Sequence, residues 1–225
     1  MIIIGVDFHP EFQQIALVDT DSYGGGANGY YGTVFKITTG GKLTTLYSFY
    51  SQTNCTDGQN PSAPLIQATD GDLYRTTEGG AYSGGTVFKI TPSGTLTTLY
   101  SVTGMNDGDP SAGLVQDTNG NFYGTTSGGC GLMHPCGTVF RLSVGLGPFV
   151  ETLPASGKVG AAVKILGTDL TGAISVTFNG TAATFKVVSK SLITTTVPAG
   201  ATTGTVKVTT PKGTLKSNVV FRVTK

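Results

Sequence analysis

One seven-residue phrase occurs three times in this chain. Gly32-Thr33-Val34-Phe35-Lys36-Ile37-Thr38 returns as Gly85-Thr86-Val87-Phe88-Lys89-Ile90-Thr91 and again as Gly137-Thr138-Val139-Phe140-Arg141-Leu142-Ser143, at spacings of 53 and 52 residues. A period of that length, with short alternating segments between Asn-Gly or Asp-Gly turns, marks one supersecondary unit stacked on itself. It constrains architecture far more than chemistry.

The unit reads strand by strand. In the second copy, 65–69 is followed by the turn Asp70-Gly71, then 72–77, a Gly-rich loop, 85–91, the turn Pro92-Ser93-Gly94, and 95–102. Asp-Gly and Asn-Gly favour the positive φ of tight hairpins, so each copy should be an up-and-down antiparallel sheet. The third copy repeats the pattern over 114–117, Asn119-Gly120, 121–126, a loop holding Cys130 and Cys136, 137–143, and a degenerate last strand over 148–153. The first copy supplies only its last two strands, over 30–48. Four-stranded sheets at such a period are the pattern of propeller blades. The expectation is an all-β chain with an incomplete β-propeller-like array of about two and a half four-stranded blades, where closure takes about four. An unpaired edge then invites self-association.

Charge divides the chain. Residues 1–147 hold 5 basic and 11 acidic side chains, whereas 148–225 hold 9 and 2, and all nine tyrosines lie at or before Tyr123. The second half alternates apolar and polar residues over 162–167, 174–178, 183–188, 192–197, 205–209 and 219–223. Short strands at that spacing argue an Ig-like β-sandwich. The expected domains are an N-terminal hairpin over 1–22, β repeats over 23–153, and the sandwich over 154–225.

Three stretches resemble known families. The Asp-Gly-x-x-Pro-Ser-Ala motif, the run Asn119-Gly120-Asn121-Phe122-Tyr123-Gly124-Thr125-Thr126 and the recurring Gly-Thr-Val-Phe phrase resemble the GloVer tandem repeats of bacterial surface and secreted proteins, over about 22–147. Gly167-Thr168-Asp169-Leu170, Val176-Thr177-Phe178-Asn179-Gly180 and Val197-Pro198-Ala199-Gly200 resemble the IPT/TIG domain, over about 154–225. Residues 3–20 look like the opening hairpin of DEDD-type insertion-sequence transposases, where Asp7 would be the first metal-binding carboxylate. The remaining acidic positions of such a site have no counterpart here, and metal-assisted phosphodiester chemistry needs several converging carboxylates; the other reading of this segment is an ordinary edge hairpin packed against the first incomplete blade. The resemblances imply a non-catalytic bacterial cell-surface or secreted adhesion module, binding a glycan or a protein surface. The alternative is an inactive remnant or fusion of a DEDD-type transposase.

Catalytic signatures are otherwise missing. His9 and His134 lie in unrelated segments, and Asp70/Asp72 and Asp107/Asp109 sit on turns, where carboxylates satisfy local backbone groups. No catalytic residue, metal ligand or cofactor is assigned. Asp117-x-Asn119-Gly120-Asn121 partly echoes a calcium loop, but turn chemistry explains it. Cys130 and Cys136 flank a short loop and could close as a local disulfide in an oxidising compartment, leaving Cys55 free. Where this chain has Tyr50, the resembled repeats often carry a cysteine. Tyrosines beside Gly-rich loops suit carbohydrate or protein surfaces. Tyr30, Tyr31 and Tyr82 are the candidate ligand-binding residues, while Tyr74 and Tyr123, at equivalent repeat positions, fit the core. The nine basic residues of the second half alternate with apolar ones as a solvated face would, so nucleic acid is not an expected partner. No apolar run is long enough to span a bilayer, and the N-terminus lacks the pattern of a signal peptide. The expected location, by resemblance, is the cell surface or outside the cell.

Overall fold

The computed structural model describes residues 15–19, 27–29, 31–37, 41–61, 63–103, 108–110, 112–128 and 136–225. The regular structure is almost entirely β. Two compact units divide the chain: one takes it up to Gln116 together with Phe122–Leu142, the other takes Asp117–Asn121 together with Ser143–Lys225.

Strands in the first unit follow the repeat. β1 (Ile15–Asp19), β2 (Thr33–Ile37) and β3 (Leu43–Ser48) form one sheet. β4 (Ile66–Gln67), β5 (Leu73–Thr77), β6 (Ser83–Ile90) and β7 (Leu96–Thr103) form the second, in that order. In the third, β10 (Phe122–Ser127) pairs with β11 (Thr138–Leu142) on one side and with β8 (Asp109–Pro110) and β9 (Val115–Gln116) on the other.

The recurring phrase occupies the same register in every copy. Phe35 lies opposite Leu17, Phe88 opposite Arg75 and Phe140 opposite Gly124, with the flanking pairs in step. A bulge also recurs, between Val34 and Phe35 against β3 and between Val87 and Phe88 against β7. Because side chains alternate across a strand, each valine of the phrase points away from its neighbouring phenylalanine. The valine side of one sheet packs on the phenylalanine side of the next. Val34, Phe49, Phe88 and Ile90 form a closed core between sheets one and two, and Tyr74 stacks on Phe122 at 4.3 Å between sheets two and three. The valine side of the third sheet stays open: Val139 is 77% exposed, against 0% for Val34 and 2% for Val87.

Two sequence-based expectations change. The first copy is not limited to two strands: β1, from the segment that looks foreign to the repeat, pairs with β2 as β5 pairs with β6. Asp7 and His9 lie outside the described residues. In the third copy, the expected last strand over 148–153 does not return to β11. Val150–Leu153 instead pairs with Ala162–Gly167 in the second unit, which moves the boundary upstream of 153. After β11 the chain runs Ser143-Val144-Gly145-Leu146-Gly147-Pro148, without the Pro-Ser-Gly hairpin that folds β7 back on β6. Val150 and Thr152 alternate inward and are fully buried in their adopted sheet.

The second unit is an Ig-like sandwich. One sheet orders β12 (Val150–Leu153), β14 (Ala162–Gly167), β18 (Leu192–Thr196) and β17 (Phe185–Ser189). The other orders β16 (Thr181–Ala183), β15 (Ser175–Phe178), β19 (Val206–Thr210) and β20 (Gly213–Lys216). β13 (Ser156–Lys158) pairs in parallel with β21 (Arg222–Thr224). Asn179 and Gly180, both at positive φ, make the two-residue turn joining β15 to β16, as their sequence demands. Val163, Ile165, Val176, Ile193, Val206 and Val208 fill the core, where Phe178 and Phe221 meet edge to face. Lys164, Lys186 and Lys207 alternate outward into solvent. Among the described residues, no helix is long and apolar enough to cross a membrane.

Candidate functional site

The loop leaving β3 is built around one buried carboxylate. Asp57 is fully buried, and its Oδ2 accepts hydrogen bonds from the Ser51 N–H at 2.9 Å, the Ser51 hydroxyl at 3.0 Å and the Tyr47 hydroxyl at 2.9 Å. Burial, reinforced by that carboxylate, raises the Tyr47 pKa and keeps the phenol protonated as a donor. The backbone then stitches the loop to its neighbours: Gln59 and Gly79 exchange N–H···O bonds, Asn60 N–H donates to Tyr31 O, and Glu78 N–H donates to Asn60 O.

Held this way, the loop carries unusual backbone. Of six non-glycine residues at positive φ among those described, four fall in it: Tyr50, Asn54, Cys55 and Asn60. Such conformations cost roughly 1 kcal/mol or more each and concentrate at functional sites. Here they turn Tyr50 back onto Tyr31, the rings stacking at 4.0 Å and 14°.

The result is an open cleft of about 700 Å³. The stacked Tyr31 and Tyr50 form one aromatic wall, and Tyr82, 59% exposed on the turn before β6, is another. Asn54, Thr56 and Gln59 supply amide and hydroxyl groups, and Gly80 and Ala81 complete the lining. The nine lining residues include no carboxylate and no basic side chain. Chemically the cleft offers ring faces flanked by neutral hydrogen-bonding groups. Cys55, a buried residue of the lining, is a free cysteine whose thiol pKa is pushed up by burial and by Asp57.

Of the three tyrosines read from the sequence as binding residues, the cleft brings together Tyr31 and Tyr82; Tyr30 lies outside the described residues. Tyr50, Asn54 and Gln59 were not foreseen. The departure at Tyr50 from the cysteine of the resembled repeats was the signal that could have pointed there. Tyr74 is core, 1% exposed, its hydroxyl donating to Asp70 at 2.8 Å. The turn acids are engaged locally: Asp70 accepts from the Asp72 N–H, Asp72 pairs with Lys89 at 2.7 Å, and Asp117 accepts from the Thr118 N–H. Cys136 is disulfide-bonded; Cys130 and His134 lie outside the described residues. No group of three or more His, Cys, Asp or Glu side chains converges among the described residues.

Arg75 is the electrostatic exception in the second sheet. It is 1% exposed, its Nε and Nη2 have no hydrogen-bond partner, and burial lowers its pKa to about 9.

The sequence matches the profile of the Gloeobacter/Verrucomicrobia repeat over residues 20–185, which is 166 of 225, and that of the IPT/TIG domain over residues 149–223. A comparison with curated proteins returns no match. Among solved structures, a gamma-CGTase from alkalophilic Bacillus clarkii aligns at 21% identity with a TM-score of 0.32, covering 68% of this chain. The alignment spans 24% of that enzyme's length.

Proposed function

The chain belongs to the Gloeobacter/Verrucomicrobia repeat family and carries an IPT/TIG domain, and we propose that it is a non-catalytic adhesion module whose tyrosine cleft binds a glycan. The observation that carries this reading is the stacked Tyr31–Tyr50 pair lining one cleft together with the exposed Tyr82. Aromatic faces with polar tips suit a ligand that presents an apolar face and a hydroxylated rim, which is how a sugar ring meets a protein. The neutral lining favours an uncharged sugar over a phosphate or a basic peptide. The strained loop pre-forms the site, so little ordering is left for binding to supply. The disulfide at Cys136 is consistent with an oxidising compartment, hence with a surface or secreted location. The open side of the third sheet offers a route to self-association.

A glycan array read with the full chain tests this, followed by titration of any hit against Tyr50→Ala and Tyr82→Ala. The expected result is at least a tenfold loss of affinity in each variant with an unchanged circular dichroism spectrum. An array without hits, or a hit indifferent to both substitutions, would sink the reading.

A further inference from the structure

Two copies of the repeat close their sheets with the same strand, and the third has none. Leu-Thr-Thr-Leu-Tyr-Ser follows the phrase as residues 43–48 and again as 96–101, and folds back on it as β3 and β7. No such hexapeptide follows β11. The chain runs instead to the Asp117–Gly120 turn, where the Phe149 N–H donates to Thr118 O at 3.0 Å. Among the described residues β11 pairs with β10 alone, and its other edge is free. It carries no proline and no bulge, two of the devices by which free strands avoid new partners.

The apolar side chains beside that edge are left uncovered. On β6, Phe88 and Ile90 are 0% exposed, and Leu96 of β7 packs against the core they share with Val34 and Phe49. Their counterparts on β11, Phe140 and Leu142, are only half-buried, and with Val87, Val102 and Thr138 they line a hollow of about 330 Å³. A free edge and an apolar hollow on one strand are the two halves of a strand-accepting site. The edge offers main-chain hydrogen bonds, and the hollow takes alternate side chains.

We propose that β11 accepts an extended strand of the Leu-Thr-Thr-Leu-Tyr-Ser type from another polypeptide, which completes the third sheet. The second copy supplies the register: Leu96 lies opposite Ile90, Thr98 opposite Phe88 and Tyr100 opposite Val87. The incoming leucine therefore lies opposite Leu142, its second threonine opposite Phe140 and its tyrosine opposite Val139. Opposed residues share a face of the sheet, so the leucine enters the hollow and the tyrosine lies beside Val139, 77% exposed without it. Both hexapeptides of this chain are already paired in their own sheets, which makes the donor a different chain rather than a second copy. The site shares no lining residue with the tyrosine cleft, and Tyr82→Ala leaves it intact.

The probe is a labelled synthetic peptide with the sequence of residues 95–102, titrated against the full chain by fluorescence anisotropy and located by hydrogen exchange. Saturable binding and slowed amide exchange across 138–142 are expected. Successive N–H groups of a strand point to opposite sides, so a peptide with prolines for its two adjacent threonines lacks a ladder donor and should bind at least tenfold more weakly. Leu142→Asp, which puts a carboxylate in the hollow, should weaken the peptide by a similar factor. Inserting the sequence of residues 92–103 after Ser143, with a Gly/Ser linker long enough to recross the sheet, gives the third copy its own strand. That variant should lose peptide binding and gain thermal midpoint. No saturable binding, protection at a segment other than 138–142, a proline peptide that binds equally well, or affinity unchanged by both the substitution and the insertion would overturn the proposal. A dimer in sedimentation that excludes the peptide would mean that two copies pair along β11, and overturns it too.

Discussion

Gly58 and Gly71 both sit at positive φ, +87° and +85°, in the repeat unit, but in opposite surroundings. A Cβ at Gly71 would meet nothing within 4 Å, whereas one at Gly58 would overlap the Thr77 hydroxyl and lie 2.7 Å from that of Thr86. Gly71→Ala therefore isolates the cost of left-handed backbone, about 1 kcal/mol. Gly58→Ala adds the displacement of a buried pair. The Thr77 hydroxyl bonds that of Thr86 at 2.8 Å, accepts from the Thr86 N–H at 2.9 Å and donates to Gly79 O at 2.9 Å. Losing two such bonds and stranding a buried N–H costs a further ~2–3 kcal/mol. For a unit of this size the difference between the variants corresponds to roughly 10 °C in thermal midpoint. The chain has no tryptophan and all its tyrosines lie at or before Tyr123, so tyrosine fluorescence follows the repeat unit while the sandwich stays dark. Equal destabilisation by the two substitutions would refute the claim that close approach, rather than backbone angle, fixes Gly58. The same loss at Gly58 should release the Asp57 loop and with it the cleft.

Two further outcomes follow from buried ionisable groups. Arg75→Leu, which installs the residue type that the first copy carries at Leu17, should raise the repeat unit's stability by at least ~1 kcal/mol, because burial of a guanidinium whose Nε and Nη2 lack partners outweighs the attraction of Glu78; destabilisation in a urea melt would mean that the Glu78 attraction dominates. Burial and Asp70 raise the Tyr74 pKa well above its ordinary 10.0. Its contribution is therefore fully present below pH 10 and is lost as pH rises toward the folded value, so Tyr74→Phe should flatten the alkaline decline in stability. An unchanged slope between pH 9.5 and 11.5 would contradict that assignment.

The repeated phrase carried its own register: one alternating heptapeptide, met three times, can pair in only one way if Val34, Phe35 and their counterparts are to reach opposite cores. The Asn179-Gly180 turn was legible for a similar local reason, since two residues suited to positive φ specify a hairpin by themselves. The strand Val150–Leu153 was not, because an inward-alternating tetrapeptide fits any open edge and only the surrounding fold decides which it joins. β1 shows the converse, a segment without repeat character recruited by the free edge of β2. The cleft was half legible. Tyr31 and Tyr82 stand out beside glycines, but Tyr50 reaches them through a left-handed backbone angle imposed by hydrogen bonds to Asp57, which no local pattern records.

The shared register also bears on how such a chain can change length. Between corresponding positions, the stretch from Phe49 to Asp57 is three residues longer than that from Val102 to Asp107, the stretch from Asp57 to Thr77 is one longer than that from Asp107 to Thr126, and the stretch from Thr77 to Thr86 is three shorter than that from Thr126 to Thr138. None of the three differences falls within the phrase. Recombination that adds or removes a whole period would therefore join a valine side to a phenylalanine side wherever it occurred, whereas a one-residue slip inside the phrase would turn every one of its side chains to the wrong side. Arrays of this type can gain or lose units by unequal crossing-over without new packing having to evolve, and each added unit brings a fresh set of loops on which a binding surface can diverge.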